Sequence, residues 1–73
     1  MSWMKAVYSD MAAEVGYDDE TGELLVKWAK SGKVSGYSGV SEDVAREAAD
    51  GRIASIGQWL NSEIKPNYSH RYR

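Results

Sequence analysis

The segment LLVKW, residues 24–28, gives the clearest indication of how this chain folds. Leu24, Val26 and Trp28 fall on one side of an extended strand, and the two residues between them fall on the other. This period of two is expected where one face of a strand is buried. The segment therefore predicts a strand in a sheet with a single covered face.

The neighbouring segments extend this strand into an antiparallel meander. Residues 14–17 alternate briefly and run into DDETG, residues 18–22, a cluster of turn formers with a glycine available for positive φ. A second loop at residues 30–33 leads to a third strand at residues 34–37. Residues 3–8 suit a pleated surface but alternate irregularly, so the sequence leaves three or four strands open.

Two short helices follow the meander. Ser41 supplies an N-cap oxygen before two carboxylates, and Gly51 is a typical helix stop. Ser55 and Gln58 stand at capping-box spacing, and Pro66 disfavours helical geometry in the residue before it. The second helix has its apolar side chains on one face: Ile56, Trp59, Leu60 and Ile64.

This order of elements predicts an α+β domain over residues 1–73. A small antiparallel β-meander of three or four strands precedes two short helices packed on one sheet face. We expect the strand face of Trp28 to meet the helix stripe of Trp59. Residues 66–73 are predicted to be an extended tail or a last strand.

Composition excludes several classes of function. The 73 residues include no cysteine, which rules out disulfides, thiolate metal sites and thiol redox chemistry. No stretch approaches the roughly 20 apolar residues of a membrane span, so we expect a cytoplasmic protein without membrane contact. The net charge of −2 argues against nucleic-acid binding through the overall field, so any such binding needs a local patch.

The sequence shows no catalytic or metal-binding motif. The carboxylates of residues 18–23 do not have the spacing of an EF-hand loop and are interpreted as a solvated turn. His70 is the only histidine, so neither a zinc triad nor a Ser-His-Asp relay can be assembled in the usual way. We expect no enzymatic activity, no cofactor and no metal.

The C-terminal segment is the strongest candidate for a binding site. The last twelve residues carry three cations against one carboxylate, a charge of +2, which leaves −4 on the first 61. Aromatic faces stack on bases and cations attract phosphates. The predicted nucleic-acid-binding residues are Tyr68, Arg71, Tyr72, Arg73 and Lys65, with Tyr37 and Asn61 nearby. In the alternative interpretation, the tyrosines complete the sheet and the arginines only keep the terminus soluble.

The chain resembles the KTSC domain family. The resemblance extends from about residue 9 to residue 73 and includes the GYSGV stretch at 36–40, SIGQWLNSEI at 55–64 and the tyrosine- and arginine-rich end. Tyr37 matches the second tyrosine of the family's central Y-x-Y, but Ser35 replaces the first and Ser41 replaces a proline. The later family positions are matched by Ser55, Gly57, Trp59, Asn61, Ile64, Lys65, Tyr68 and Tyr72.

The resemblance implies a stand-alone small bacterial or phage protein without an established reaction. RNA binding has been associated with the family because the domain occurs at the C-terminus of some lysyl-tRNA synthetases, an argument by association. The leading hypothesis is a non-enzymatic module that binds RNA or another nucleic acid. The alternative is a protein-interaction or self-assembly module, such as a homodimer, with no nucleic-acid role.

Overall fold

The computed structural model describes residues 1–73 and contains a five-stranded antiparallel sheet. The strands follow chain order across the sheet, β1 to β5. They are β1 Ser2–Ala6, β2 Ala12–Asp18, β3 Glu23–Trp28, β4 Val34–Ser38 and β5 His70–Tyr72. The predicted α+β class is confirmed: four strands precede the helices, and the fifth lies within the segment 66–73.

The helices lie between β4 and β5 in the chain. Helix α1 spans Glu42–Ala49, and helix α2 spans Ile56–Trp59 and continues directly into a π-helical turn, Leu60–Ile64. The Ser55 hydroxyl accepts a hydrogen bond from the Gln58 backbone N–H at 3.3 Å, as the capping-box spacing predicts. Ser41 occupies the N-cap of α1 without a side-chain cap bond. No helix has the length and apolar content needed to span a bilayer.

The hydrophobic core lies between the helices and one face of the sheet, called here the covered face. On β3, Leu24 and Val26 are fully buried, as the alternation predicts. They share a core cluster with Leu60 and Ile64 of the π-helical turn. The two tryptophans expected at the central contact, Trp28 and Trp59, are only partly buried at its margin.

The opposite side of the sheet, called here the open face, carries no helix. Its central residues are nevertheless buried: Glu23 is 2% exposed and Leu25 is 5% exposed. Arg71 and Arg73 extend from the C-terminal strand edge and bind carboxylates on this face. Long arginine side chains therefore cover a surface that the helices leave free.

Candidate functional site

The C-terminal strand divides the predicted patch between the two faces of the sheet. In β5, His70 pairs with Tyr37, Arg71 with Gly36 and Tyr72 with Ser35. Because successive side chains in a strand point to opposite faces, His70 and Tyr72 lie on the covered side and Arg71 lies on the open face. The predicted binding residues therefore do not lie on one surface.

The arginines of the predicted patch are engaged in ion pairs on the open face. Arg71 donates two hydrogen bonds of 2.8 Å to the two carboxylate oxygens of Glu23. Arg73 lies 2.8 Å from Asp18 and 3.3 Å from Glu23. Each guanidinium thus faces a carboxylate, which leaves little net positive charge on this face for a phosphate.

These ion pairs shift the titration of the groups that form them. The hydrogen bonds from Arg71 lower the pKa of Glu23 from 4.5 to about 2, and the hydrogen bond from Arg73 lowers the pKa of Asp18. The same Glu23 carboxylate raises the pKa of Arg71. Both carboxylates are therefore charged at neutral pH, and the arginines stay bound to them.

The other predicted residues are also dispersed. Tyr37 is 3% exposed and belongs to the core, where burial raises the pKa of its hydroxyl. Tyr68 packs against the same core as a partly buried ring. Asn61 is exposed on the π-helical turn and faces a different cleft. Of the seven residues, Tyr37, Lys65 and Tyr72 border one common depression.

This depression is an open groove of about 730 Å³ beside β5, called here the edge groove. Its size is that of an ordinary ligand-binding cleft. It lies where the β3–β4 loop, the end of the π-helical turn and the last strand meet. The side chains that give it its chemistry are aromatic and basic: Trp28, Tyr37, His70, Tyr72, Lys30 and Lys65.

Lysine ammonium groups lie over two of the aromatic rings. Lys65 Nζ is 5.2 Å from the centre of the Trp28 ring, and Lys33 Nζ is 5.5 Å from the centre of the Tyr72 ring. Both distances fall within the range of cation–π attraction. Lys30, Lys33 and Lys65 are exposed and form no ion pair. Asp10 is the one carboxylate on the groove wall.

A buried serine holds the aromatic rings of the edge groove in place. The Ser35 hydroxyl accepts a 2.7 Å hydrogen bond from the Trp28 indole N–H and lies 2.8 Å from His70 Nε2. The His70 ring contacts Tyr72 edge-on at 4.8 Å between ring centres. Ser35 therefore links β3, β4 and β5, and the groove wall is preorganised.

Several groups of this groove are not among the predicted binding residues. Trp28 is predicted at the central contact, Lys30 and Lys33 lie in a predicted loop, and His70 is considered only as a metal ligand or catalytic base. The available signal was the position of Trp28 at the end of β3, directly before a loop with two lysines.

Neither the acidic turn at residues 18–23 nor His70 belongs to a group of side chains that could hold a metal ion. No group of three or more His, Cys, Asp or Glu side chains is positioned to hold an ion. In the acidic turn, Asp19 and Glu20 bind the N-terminal ammonium at 2.7 and 3.1 Å. The solvated turn inferred from sequence is thus partly neutralised by the chain's own terminus.

The fold and the groove define a class of small α+β domains with a five-stranded meander, two helical segments on one face and an aromatic, basic groove at the last strand. The KTSC domain family model matches residues 8–68. The chain belongs to the KTSC domain family.

A solved structure supports the same fold assignment. The crystal structure of a KTSC domain protein from Yersinia pestis superimposes with a TM-score of 0.82 at 22% sequence identity. The similarity covers 100% of this chain and 99% of the other. A search of curated proteins gave no match.

Proposed function

We propose that this protein is a small non-enzymatic module that binds single-stranded nucleic acid in the edge groove. The observation that carries the proposal is the set of three lysines without ion pairs around the rings of Trp28 and Tyr72. Stacking platforms combined with a basic groove are the usual means of binding single strands without strong sequence preference. The overall net charge of −2 is compatible with this because the cations are local.

Each group in the groove has a defined role in the proposal. Tyr72 is 65% exposed and offers a ring face to a base. A base that stacks on Trp28 displaces Lys65 from the ring face, and a base that stacks on Tyr72 displaces Lys33. The displaced ammonium group then contacts the adjacent phosphate, so it exchanges one favourable contact for another. Ser35 and His70 keep the rings oriented while this happens.

The arrangement of Ser35 and His70 supports a binding role over a catalytic one. A serine next to a histidine resembles a nucleophile and its base, but Ser35 is 0% exposed and its hydroxyl already accepts the indole N–H. A nucleophile must reach the substrate, and its histidine is normally oriented by a third group. No side chain hydrogen-bonds the second ring nitrogen of His70.

The proposal is tested by titrating the protein with a short single-stranded RNA while following amide chemical shifts. Shifts should cluster at the β3–β4 loop, Lys65 and β5. Tyr72→Ala should weaken binding about fivefold or more, since stacking of one base is worth about 1–3 kcal/mol. Lys65→Ala should also weaken it, while Lys27→Ala, a lysine on the open face paired with Glu14, should not.

Two further results decide between this groove and other surfaces. Lys5→Ala should leave RNA affinity unchanged, because Lys5 lies on β1 in an exposed pair with Asp50, at the opposite edge of the sheet from β5. Equal loss of affinity in Lys5→Ala and Lys65→Ala would contradict the assignment of the site. Absence of binding to any RNA at low salt, together with a dimer in light scattering, would favour the protein-interaction alternative.

A further inference from the structure

A second cleft lies next to the edge groove and shares part of its wall. This cleft, called here the loop groove, has a volume of about 940 Å³ and lies between the β1–β2 loop and helix α2 with its π-helical turn. Asp10 and Met11 border both grooves. The two depressions therefore meet along one surface.

The loop groove differs from the edge groove in its chemistry. It contains no lysine or arginine, and its polar side chains include the amides of Gln58 and Asn61. Each amide offers both hydrogen-bond donors and an acceptor, the combination that reads base edges. A groove with amides and without cations suits a base better than a phosphate.

Tyr8 at the rim of the loop groove has no evident structural role. Its side chain is completely exposed, and no hydrogen bond or ring contact involves it. Its backbone position is nevertheless well defined, because the adjacent Ser9 hydroxyl accepts hydrogen bonds from the backbone N–H groups of Met11 at 3.1 Å and Ala12 at 3.4 Å. A free aromatic ring on a fixed loop is a preformed stacking platform.

The two grooves meet where α2 packs closely on the β1–β2 loop. A side-chain carbon at Gly57 would lie 2.9 Å from the Met11 sulfur. The Asn61 amide nitrogen lies 3.7 Å from the same sulfur. Asp10 has no ion-pair partner, and its charge keeps phosphates on the lysine side of the junction.

We propose that the loop groove continues the binding track of the edge groove, so that a base beyond those stacked on Trp28 and Tyr72 stacks on Tyr8 with its edge against Asn61 and Gln58. This inference rests on the proposed function and specifies its ligand: a single strand of several nucleotides, with its phosphates along Lys30 and Lys65. A mononucleotide or a dinucleotide occupies the edge groove alone.

The inference is tested by comparing an RNA dinucleotide with an RNA hexanucleotide in fluorescence or calorimetric titrations of the full chain. The unaltered protein should bind the hexanucleotide at least about fivefold more tightly than the dinucleotide. This difference is the expected contribution of one further stacked base. Tyr8→Ala should remove most of this advantage and leave dinucleotide affinity unchanged. Tyr8→Phe, which keeps the ring, is the matched control and should retain the advantage.

The possible outcomes separate the two proposals. Hexanucleotide affinity that is insensitive to Tyr8→Ala but falls in Tyr72→Ala overturns the extended track and leaves the edge-groove function in place. Failure of both oligonucleotides to bind overturns the proposed function, and the extended track with it. Because Tyr8 makes no side-chain contact, an unchanged unfolding curve for Tyr8→Ala shows that its effect is on binding.

Discussion

At the scale of single residues, the most constrained group is the Glu23 carboxylate. It is buried within the sheet and receives two hydrogen bonds from Arg71 and an ion pair from Arg73. A buried carboxylate is tolerated only when its charge and lone pairs are satisfied. Glu23 therefore attaches the C-terminal strand to the middle of the meander, and the tail arginines have a structural function.

Glu23→Gln should destabilise the protein by about 1–3 kcal/mol, because a neutral amide replaces the charged partner of two arginines. The exposure of the Arg71 side chain keeps the loss below that of a fully buried pair, since the freed guanidinium can be hydrated. Urea unfolding measures the change. Glu14→Gln, in a 3.7 Å surface pair with Lys27, is the control and should cost less than about 0.5 kcal/mol.

The stability of the protein should fall in acid because of the same carboxylates. The folded-state pKa of Glu23, about 2, lies below its ordinary value of 4.5, and the hydrogen bond from Arg73 lowers the pKa of Asp18 as well. The contribution of a group with a lowered pKa is complete above its unfolded pKa and is lost as the pH falls through its folded pKa. Stability should therefore decline between about pH 5 and pH 2.

Thermal or urea unfolding at a series of pH values provides the measurement. For Glu23 the decline corresponds to at most about 3 kcal/mol, less after screening by water around Arg71. Glu23→Gln should have a flatter profile over this interval. An equally steep decline in the variant would show that other carboxylates are responsible.

At the scale of elements, the pairing of β4 with β5 depends on a glycine. A side-chain carbon at Gly36 would lie 2.5 Å from a Glu23 carboxylate oxygen and 3.0 Å from the Arg73 side chain. The absence of a side chain thus makes room on the open face for the ion pairs between neighbouring strands. A glycine inside a strand usually weakens it, whereas here the missing side chain admits the buried carboxylate.

Gly36→Ala should destabilise the protein by about 1–3 kcal/mol, the usual cost of forcing an extra carbon into a packed site. The strain should weaken the Arg71 and Arg73 contacts first, so amide hydrogen exchange should increase in β5 more than in β2. Ser38→Ala, at an exposed position of the same strand, is the control and should change stability by less than about 0.5 kcal/mol. Uniform acceleration of exchange across the sheet would contradict a local effect.

The helical segment after α2 shows how an element can place a side chain of the edge groove. The sequence predicts one amphipathic helix up to residue 64, and its apolar positions Ile56, Leu60 and Ile64 are indeed buried. The second half is a π-helical turn, in which the Lys65 N–H donates to the Leu60 carbonyl at 2.8 Å. Such wide turns are frequent at functional sites. Here the turn ends at Lys65, directly over Trp28.

At the scale of the whole molecule, charge is arranged by face and not only by position in the chain. The open face pairs its arginines with carboxylates. The edge groove, in contrast, is lined by Lys30 and Lys65 and has Lys33 over its Tyr72 ring, all without ion pairs. An acidic protein with a local basic groove attracts a polyanion only over short distances, because the rest of its field is repulsive. Nucleic-acid affinity should fall with added salt, because the local lysine–phosphate contacts displace counterions.

For single strands, the logarithm of the binding constant should fall with the logarithm of salt concentration with a slope of about −0.7 per neutralised phosphate. Three lysines then give a slope of about −2 for the proposed complex. Lys65→Ala should make the slope shallower by about 0.7, and Lys27→Ala should leave it unchanged. Binding that does not respond to salt would exclude phosphate contacts by the edge groove.

Much of the fold was predictable from local patterns. Alternation in β3 identified the covered face, turn residues identified the hairpin loops, and the Ser55 cap identified the start of α2. Residues 3–8 alternate irregularly and left the number of strands open, and the structure places the edge strand β1 at Ser2–Ala6. The π-helical turn left no local signal, since its apolar spacing is also that of an ordinary helix.

The sequence by itself determined most of the elements, their order and the presence of aromatic and basic groups near the C-terminus, because these depend on local periodicity, capping and composition. Only the tertiary structure decided which of those groups act together. A shift of one residue in the pairing of β5 with β4 would exchange the faces of Arg71 and Tyr72, since side chains alternate with a period of two. That register is set by contacts with Glu23 and Ser35, residues far from the tail in the chain.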